Sequence, residues 1–220
     1  MNNFTKFKVL SLDMKYKKVP LTAVRRLSIY ARTLSDLENR GRETVSSEEL
    51  GLDANIPSTQ VRKDLAYFGQ FGTRGKGYSV KELNRKLREI LGLDRSWNVA
   101  LVGAGNLGKA LFSYPGFRRQ GFHIVAVFDN DPAKIDKEWK GLKIQHIKKL
   151  PEIVKEKKIS IGIIAVPSSA AQEVAETMCR AGIKAILNFA PKRLFLPPEC
   201  KQGTVDLAIE LENLSYFLTK

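Results

Sequence analysis

Cysteine and histidine are scarce in this chain, with two of each among 220 residues. Cys179 and Cys200 are too few for a disulfide framework, and neither lies in a Cys-x-x-Cys or Cys/His cluster, which argues for reduced thiols and no metal site. His123 opens the run "HIVAVFD" and His146 lies in "KIQHIKK". Neither falls at the carboxyl end of a strong central strand, where a hydride-transfer enzyme would place a general acid or base. Long apolar runs are missing too, for none approaches the roughly 18 residues of a membrane span. The N-terminus "MNNFTKFKVLSLDMKYKK" has lysines but no apolar core with a small-residue cleavage site, so it does not read as a secretory signal. These absences predict a cytoplasmic protein with no membrane segment, no metal and no visible catalytic residue.

Acidic residues are outnumbered, 23 against 37 Lys and Arg, for a net charge of +14. A polyanion is a natural partner for such a chain. Residues 1–96 hold 19 basic and 11 acidic side chains, and residues 97–220 hold 18 and 12, so both halves are basic. Charge alone permits nucleic acid without selecting it.

The pattern divides into two parts. "PLTAVRRLSIYARTLSDLENRG" opens after Val19-Pro20 and closes at Gly41, with Leu21, Val24, Leu27, Leu34 and Leu37 near helical spacing. In "SSEELGLDAN", Ser46 stands three residues before Glu49, the spacing of a capping box. A further short helix follows Ile56-Pro57 and ends near Phe68-Gly69. Four glycines between Gly69 and Gly77 suit a tight two-stranded hairpin. Three helices and a hairpin predict a winged-helix DNA-binding domain over residues 1–92. Beyond "LGLDRSW" the apolar runs "WNVALVG", "HIVAVFD", "ISIGIIAVP" and "IKAILNF" alternate with helical segments. That order predicts an α/β Rossmann domain over residues 93–203, a parallel sheet with helices on both faces. Residues 204–220 contain "VDLAIELENLSYFLTK", an amphipathic C-terminal helix.

"VGAGNLGKAL" carries Gly103, Gly105 and Gly108 as GxGxxG, directly after a strand and leading into a helix. Gly103 allows the tight turn, Gly105 admits a pyrophosphate to the backbone, and Gly108 lets helix and strand pack closely. Ala104, Asn106 and Leu107 share the phosphate turn. Asp129 ends the second strand, placed to accept the ribose hydroxyls and to repel a 2′-phosphate, so NAD(H) is expected over NADP(H). Val166 and Pro167 in "AVPSS", with Asn188 and Phe189 in "NFAP", end later strands and are expected to wall the nicotinamide end.

On the short helix from Ser58, Val61, Leu65 and Phe68 share the face expected to bury. Thr59, Lys63 and Tyr67 project opposite, flanked by Gln60 and Arg62, a mixture suited to base-edge and phosphate contacts. Arg74 and Lys76, set between glycines, suit a wing on the backbone or minor groove.

Together the segments "SSEELG", "VRKDLAYFGQFGTRGKGY", "LVGAGNLGKAL", "YPGF", "FDNDP", "IAVPSSAAQ", "ILNFAP" and "VDLAIELENLSYFL" resemble the bacterial redox-sensing repressors called Rex, over nearly everything from Pro20 to Leu218. The resemblance implies a homodimer bound to inverted-repeat double-stranded DNA and released by NADH, with no enzymatic activity. It implies that the C-terminal helix is exchanged between subunits, that Tyr114 of "YPGF" sits near the nicotinamide, and that Arg32 pairs with Asp206 in the DNA-bound state. Ala66 stands where the family commonly has serine. Residues 1–18 extend before the matching region and read as a mobile basic arm. Two alternatives remain at this point: a small NAD-dependent dehydrogenase, and a CoA-binding module, each with a helical accessory domain.

Overall fold

The structure, a computed structural model, describes residues 19–73 and 75–219. The expected basic arm of residues 1–18 and the wing residue Arg74 therefore lie outside the described residues. Contacts divide the chain between Arg95 and Ser96, three residues beyond the boundary expected from the pattern.

The first unit begins with α1 (Leu21–Asn39), which Pro20 enters with φ −63° and Gly41 leaves with φ +73°. Leu27, Tyr30, Ala31, Leu34 and Leu37 recur at helical spacing and are buried. Leu21, expected in that stripe, is 65% exposed, because the buried face opens at Ala23 instead. A two-residue strand β1 (Thr44–Val45) precedes α2 (Ser47–Ala54). Its capping box is complete: the Ser46 hydroxyl accepts from Glu49 N–H at 3.0 Å, and the Glu49 carboxylate accepts from Ser46 N–H at 2.8 Å. Next come α3 (Ser58–Ala66), β2 (Tyr78–Ser79) and α4 (Val80–Ile90).

The hairpin expected within Gly69–Gly77 takes another form. That stretch closes as a tight turn through one bridge, Thr73 to Gly77, while the sheet pairs β1 with β2 antiparallel. Gly72 and Gly77, at φ +73° and +75°, have backbone oxygens so close that a Cβ would fall within 2.6 Å of one. The glycines shape the turn, and the pairing partner comes from upstream of α2. Helix α4, absent from the sequence reading, packs Val80, Leu83 and Leu87 into the core shared by α1 and α3.

The second unit is built on a seven-stranded sheet. Its elements are β3 (Trp97–Val102), α5 (Asn106–Ser113), α6 (Pro115–Arg119), β4 (Phe122–Asp129), β5 (Glu138–Trp139), β6 (Leu142–His146), α7 (Leu150–Glu156), β7 (Ile161–Ile164), α8 (Ser168–Arg180), β8 (Ala185–Asn188), β9 (Lys201–Thr204) and α9 (Leu207–Leu218). The spatial order is β5-β6-β4-β3-β7-β8-β9, parallel except for the β5–β6 edge pair. Side chains alternate as the pleat requires. Ala100, Val102, Ala126 and Phe128 pack with α7 and α8 on one face. Val99, Leu101, Val127 and Ile163 pack with Leu111 and Phe112 of α5 on the other. Strand β9, unread in the sequence, extends the sheet to Thr204 just ahead of α9. On α9, Leu207, Leu211, Leu214, Phe217 and Leu218 are each 60% exposed or more.

Candidate functional site

Strand β3 has β4 on one side and β7 on the other, so the chain crosses to opposite halves of the sheet from β3. In an open α/β sheet the crevice at such a point, at the carboxyl ends of the strands, is where ligands bind. A cleft of about 900 Å³ lies there, lined by Gly103, Gly105, Asn106, Leu107, Asp129, Val166 and Pro167 among others.

The three glycines differ in what surrounds them. Gly103 turns the chain at φ +108°, and a Cβ on it would lie 2.3 Å from Ala165 O. At Gly108 a Cβ would lie 1.9 Å from Gly103 O, so helix α5 can approach the turn only with hydrogen there. Gly105 has no atom within 4 Å of a Cβ position and stands exposed at the start of α5. The first two shape the loop, and the third leaves its outer side bare at a helix N-terminus, where free N–H groups favour an anion.

Asp129 is 7% exposed and is already engaged. Its carboxylate accepts from Ala104 N–H at 2.7 Å, Asn130 N–H at 2.8 Å and Asp131 N–H at 2.9 Å, and Lys134 Nζ lies 3.3 Å away. Burial pushes its pKa up, but the Asp131 and Ala104 amides and the Lys134 ammonium outweigh that and hold it below the usual aspartate value. The residue expected to greet the ribose thus braces the glycine loop. Asp131 and Lys134, both half-buried beside it, were missed in the sequence; Asp131 also lines the cleft. The spacing of Asp129, Asp131 and Lys134 around a strand end was the signal available.

Val166 and Pro167 line the cleft, whereas Asn188, Phe189, Ala104 and Gly108 are not among its lining residues. Asn188 is fully buried; its amide donates to Ala190 O and Lys192 O and its oxygen accepts from Ala190 N–H, so it shapes the loop after β8. Phe189 packs against the sheet face that carries Leu101 and Ile163. Tyr114 lines a different hollow, at the opening ends of β3 and β4, with its ring edge-on to Phe117 at 5.2 Å. The single chain does not bring Tyr114 into the cleft.

In the first unit, Thr59, Arg62 and Lys63 stand exposed on α3, and Ser58, Gln60 and Tyr67 are half-buried. Lys76 is exposed in the glycine-rich turn. Two of these side chains are tied down: Arg62 donates to the Ser47 hydroxyl at 2.7 Å, and Gln60 donates to Asp64 Oδ1 at 2.7 Å. Asp64 is fully buried on the face shared with Val61 and Leu65. It accepts from Arg26 Nε at 2.5 Å, Arg26 Nη2 at 2.8 Å and the Tyr30 hydroxyl at 2.9 Å. Burial disfavours its charge, but the Arg26 fork, Gln60 and Tyr30 together hold the carboxyl below its ordinary value. Burial and the same carboxylate push the Tyr30 hydroxyl upward. A carboxylate on a helix face destined for the core requires a cationic partner, and Arg26 with Tyr30, four residues apart on α1, supplies one. The signal in the sequence is Asp64 on the face of Val61 and Leu65.

Arg32 is exposed on α1, and Asp206 caps α9, its carboxylate accepting from Ala208 N–H at 3.0 Å. Among the described residues no cluster of three or more His, Cys, Asp or Glu side chains could hold a metal, and no helix is long and apolar enough to cross a membrane.

Residues 94–192 match a family described as a CoA binding domain, and residues 18–66 match one described as "Putative DNA-binding protein N-terminus". The chain is 50% identical over 203 residues to the redox-sensing transcriptional repressor Rex of Desulfitobacterium hafniense, covering 92% of this chain and 97% of that one. It is 51% identical over 203 residues to the Rex protein of Carboxydothermus hydrogenoformans, covering 92% and 98%. Among solved structures it is similar to RSP, a Rex-family repressor, in complex with β-NAD+ and operator DNA, at TM-score 0.87 and 37% identity over 91% of this chain and 92% of that one. It is also similar to RSP in complex with β-NADH, at TM-score 0.82 and 35% identity over 92% and 95%. Likeness at this level spans both units and is not confined to the glycine-rich turn. The chain belongs to the Rex family of redox-sensing transcriptional repressors.

Proposed function

We propose that this chain is a DNA-binding repressor that senses the NADH/NAD+ ratio, with NADH in the cleft of the second unit releasing operator DNA from the first. The observation that carries this reading is the bare N-terminus of α5 at Gly105, in a braced loop at the sheet's switch point, on one chain with an exposed cationic helix. The pyrophosphate would meet the free N–H groups there, while Val166 and Pro167 present an apolar wall to the ring. A neutral dihydronicotinamide is buried against such a wall at lower cost than the cationic NAD+ ring. RSP has been solved with β-NAD+ and operator DNA together and, separately, with β-NADH, which supports the nucleotide acting as a signal.

The first unit would read an inverted repeat through Ser58, Thr59, Gln60, Arg62, Lys63 and Tyr67, with Arg74 and Lys76 on the backbone. A homodimer would set two such helices one or more helical turns apart. The exposed apolar residues of α9 suit a helix given to a partner subunit, with Arg32 and Asp206 as a latch in the DNA state. In this reading the chain is a cytoplasmic regulator without catalysis, in keeping with its repressor relatives.

Fluorescence anisotropy of a labelled inverted-repeat duplex tests the reading, with NADH and then NAD+ titrated into the complex. Release by NADH and retention with equal NAD+ is expected. Tight binding indifferent to both would overturn the sensor. The match of residues 94–192 to a CoA binding domain favours one second reading, a CoA sensor. It predicts that CoA displaces NADH at comparable concentration.

A further inference from the structure

The two cysteines, unused in the proposed function, lie in one place. Cys179 is the penultimate residue of α8 and half-buried, and Cys200 is buried immediately before β9. They belong to the same core, on the α8 side of the sheet. The backbone brings them there. Gly182 N–H donates to Cys179 O at 3.0 Å as α8 ends, the chain then enters β8, and Lys201 N–H donates to Lys184 O at 2.8 Å as β9 joins it. The Cys200 thiol and the Glu199 and Glu176 carboxylates are near enough to raise the pKa of the Cys179 thiol. In the described residues both cysteines are free.

We propose that Cys179 and Cys200 are the two halves of a reversible intrachain disulfide, closed by a small uncharged or cationic disulfide oxidant. The Cys179 thiolate, the more accessible, attacks one sulfur of the oxidant, breaking its S–S bond and releasing one small thiolate. The Cys200 thiolate then attacks the Cys179 sulfur, forming the protein S–S bond and releasing the second. Two electrons pass to the oxidant, and the two protons leave with the released thiols. The two cysteines share one core, and closing the bond brings their sulfurs to about 2.05 Å. The closed ring takes in residues 179–200, which include Asn188, Phe189 and the loop they shape.

The surroundings select both rate and reagent. Burial, then the neighbouring Cys200 thiol and the two carboxylates, push the Cys179 thiol up to about 12. Thiolate is therefore scarce at neutral pH, and closure is slow, rising about tenfold per pH unit while the thiol remains protonated. Glu176 and Glu199 disfavour an anionic oxidant, while the adjacent cations are engaged elsewhere, Arg180 with the Thr177 hydroxyl at 3.3 Å and Lys201 with Pro198 O at 2.8 Å. A site of this kind records sustained thiol oxidation and ignores brief pulses.

The test uses the full-length protein, incubated with cationic cystamine or anionic glutathione disulfide between pH 7 and 9. The protein is then denatured, alkylated with N-ethylmaleimide and weighed intact. Untreated protein takes up two maleimides. After cystamine the expected protein is monomeric on a non-reducing gel, takes up none and carries no cystamine adduct. Dithiothreitol restores both sites. Closure is expected several-fold faster with cystamine than with glutathione disulfide, and faster at pH 9 than at pH 7. Cys200→Ser should instead trap one cystamine on Cys179. Two adducts on the unaltered chain, a cross-linked dimer, or two free thiols after prolonged treatment would each overturn the proposal.

Discussion

The Arg26 guanidinium grips the buried Asp64 carboxylate with two bonds, Nε to Oδ2 at 2.5 Å and Nη2 to Oδ1 at 2.8 Å, tying α1 to α3. Gln60, one turn before Asp64, donates to the same carboxylate. The rotation of α3, and so the direction of Thr59 and Lys63, is set from behind by a charge that never meets solvent. Asp64→Ala leaves the guanidinium without its partner and should cost about 2–4 kcal/mol of stability. Thermal melts of the variant check this, and operator affinity should fall more than affinity for unrelated DNA.

The same carboxylate makes stability depend on pH. Its native pKa lies below the unfolded value, so its contribution is complete above about pH 4 and is lost as pH falls through the lowered native value. Melts from pH 6 down to pH 2 should show a loss that Asp64→Asn largely removes. Glu49 is held at about 2 by the Ser46 amide, Arg42 and the Ser46 hydroxyl, and an NMR titration of its carboxyl carbon should find it there.

Gly105 and Gly108 separate binding from folding. Gly108→Ala places a methyl 1.9 Å from Gly103 O, so both melting temperature and nucleotide affinity should fall. Gly105→Ala meets no protein atom, and its φ of −85° is open to alanine. It should leave melting temperature unchanged yet weaken NADH at least about tenfold, or about 1.4 kcal/mol. Calorimetric titration with NADH decides. Full affinity in Gly105→Ala would place the pyrophosphate elsewhere.

Discrimination against a 2′-phosphate should reside more in Asp131 than in Asp129, because Asp129 is sealed by three amides and Lys134. Asp131→Ser should narrow the gap between NADH and NADPH affinities severalfold. Asp129→Ser should lower both together by loosening the loop. Competition titrations with the two nucleotides distinguish these patterns.

Lys63 stands exposed on α3, whereas Arg62 is held by Ser47. Lys63→Ala should weaken DNA binding across sequences and reduce the salt slope by about one. Asp206→Ala should keep NADH affinity and weaken the DNA complex. Anisotropy at several salt concentrations reads both. Unchanged operator binding and release in Asp206→Ala would end the latch.

Much of this architecture was legible from the chain. The capping box at Ser46, the glycine turn after Val102 and the alternation of β-rich and helical runs are local signals, and the structure carries each of them. What escaped depends on distant partners. The pairing of Thr44 with Ser79 spans α2 and α3 and has no local pattern. Helix α4 did carry one, with the Ser79 hydroxyl accepting from Glu82 N–H and Val80, Leu83 and Leu87 at helical spacing, although it follows directly on a glycine-rich stretch. Asp129 has the spacing of a ribose acceptor, and only three dimensions show its oxygens spent on the loop. Tyr114 is legible as a motif, yet the single chain gives it a hollow away from the glycines.

The bracing of Ala104 by Asp129 has a consequence for timing. A turn held in shape by the protein's own hydrogen bonds leaves little to order when a nucleotide enters or leaves. Ordering entropy is settled when the protein folds, so it does not slow each exchange. Occupancy can then follow the surrounding pool as quickly as the ligand dissociates. For a protein that reports on a changing metabolite ratio, that response time matters as much as affinity.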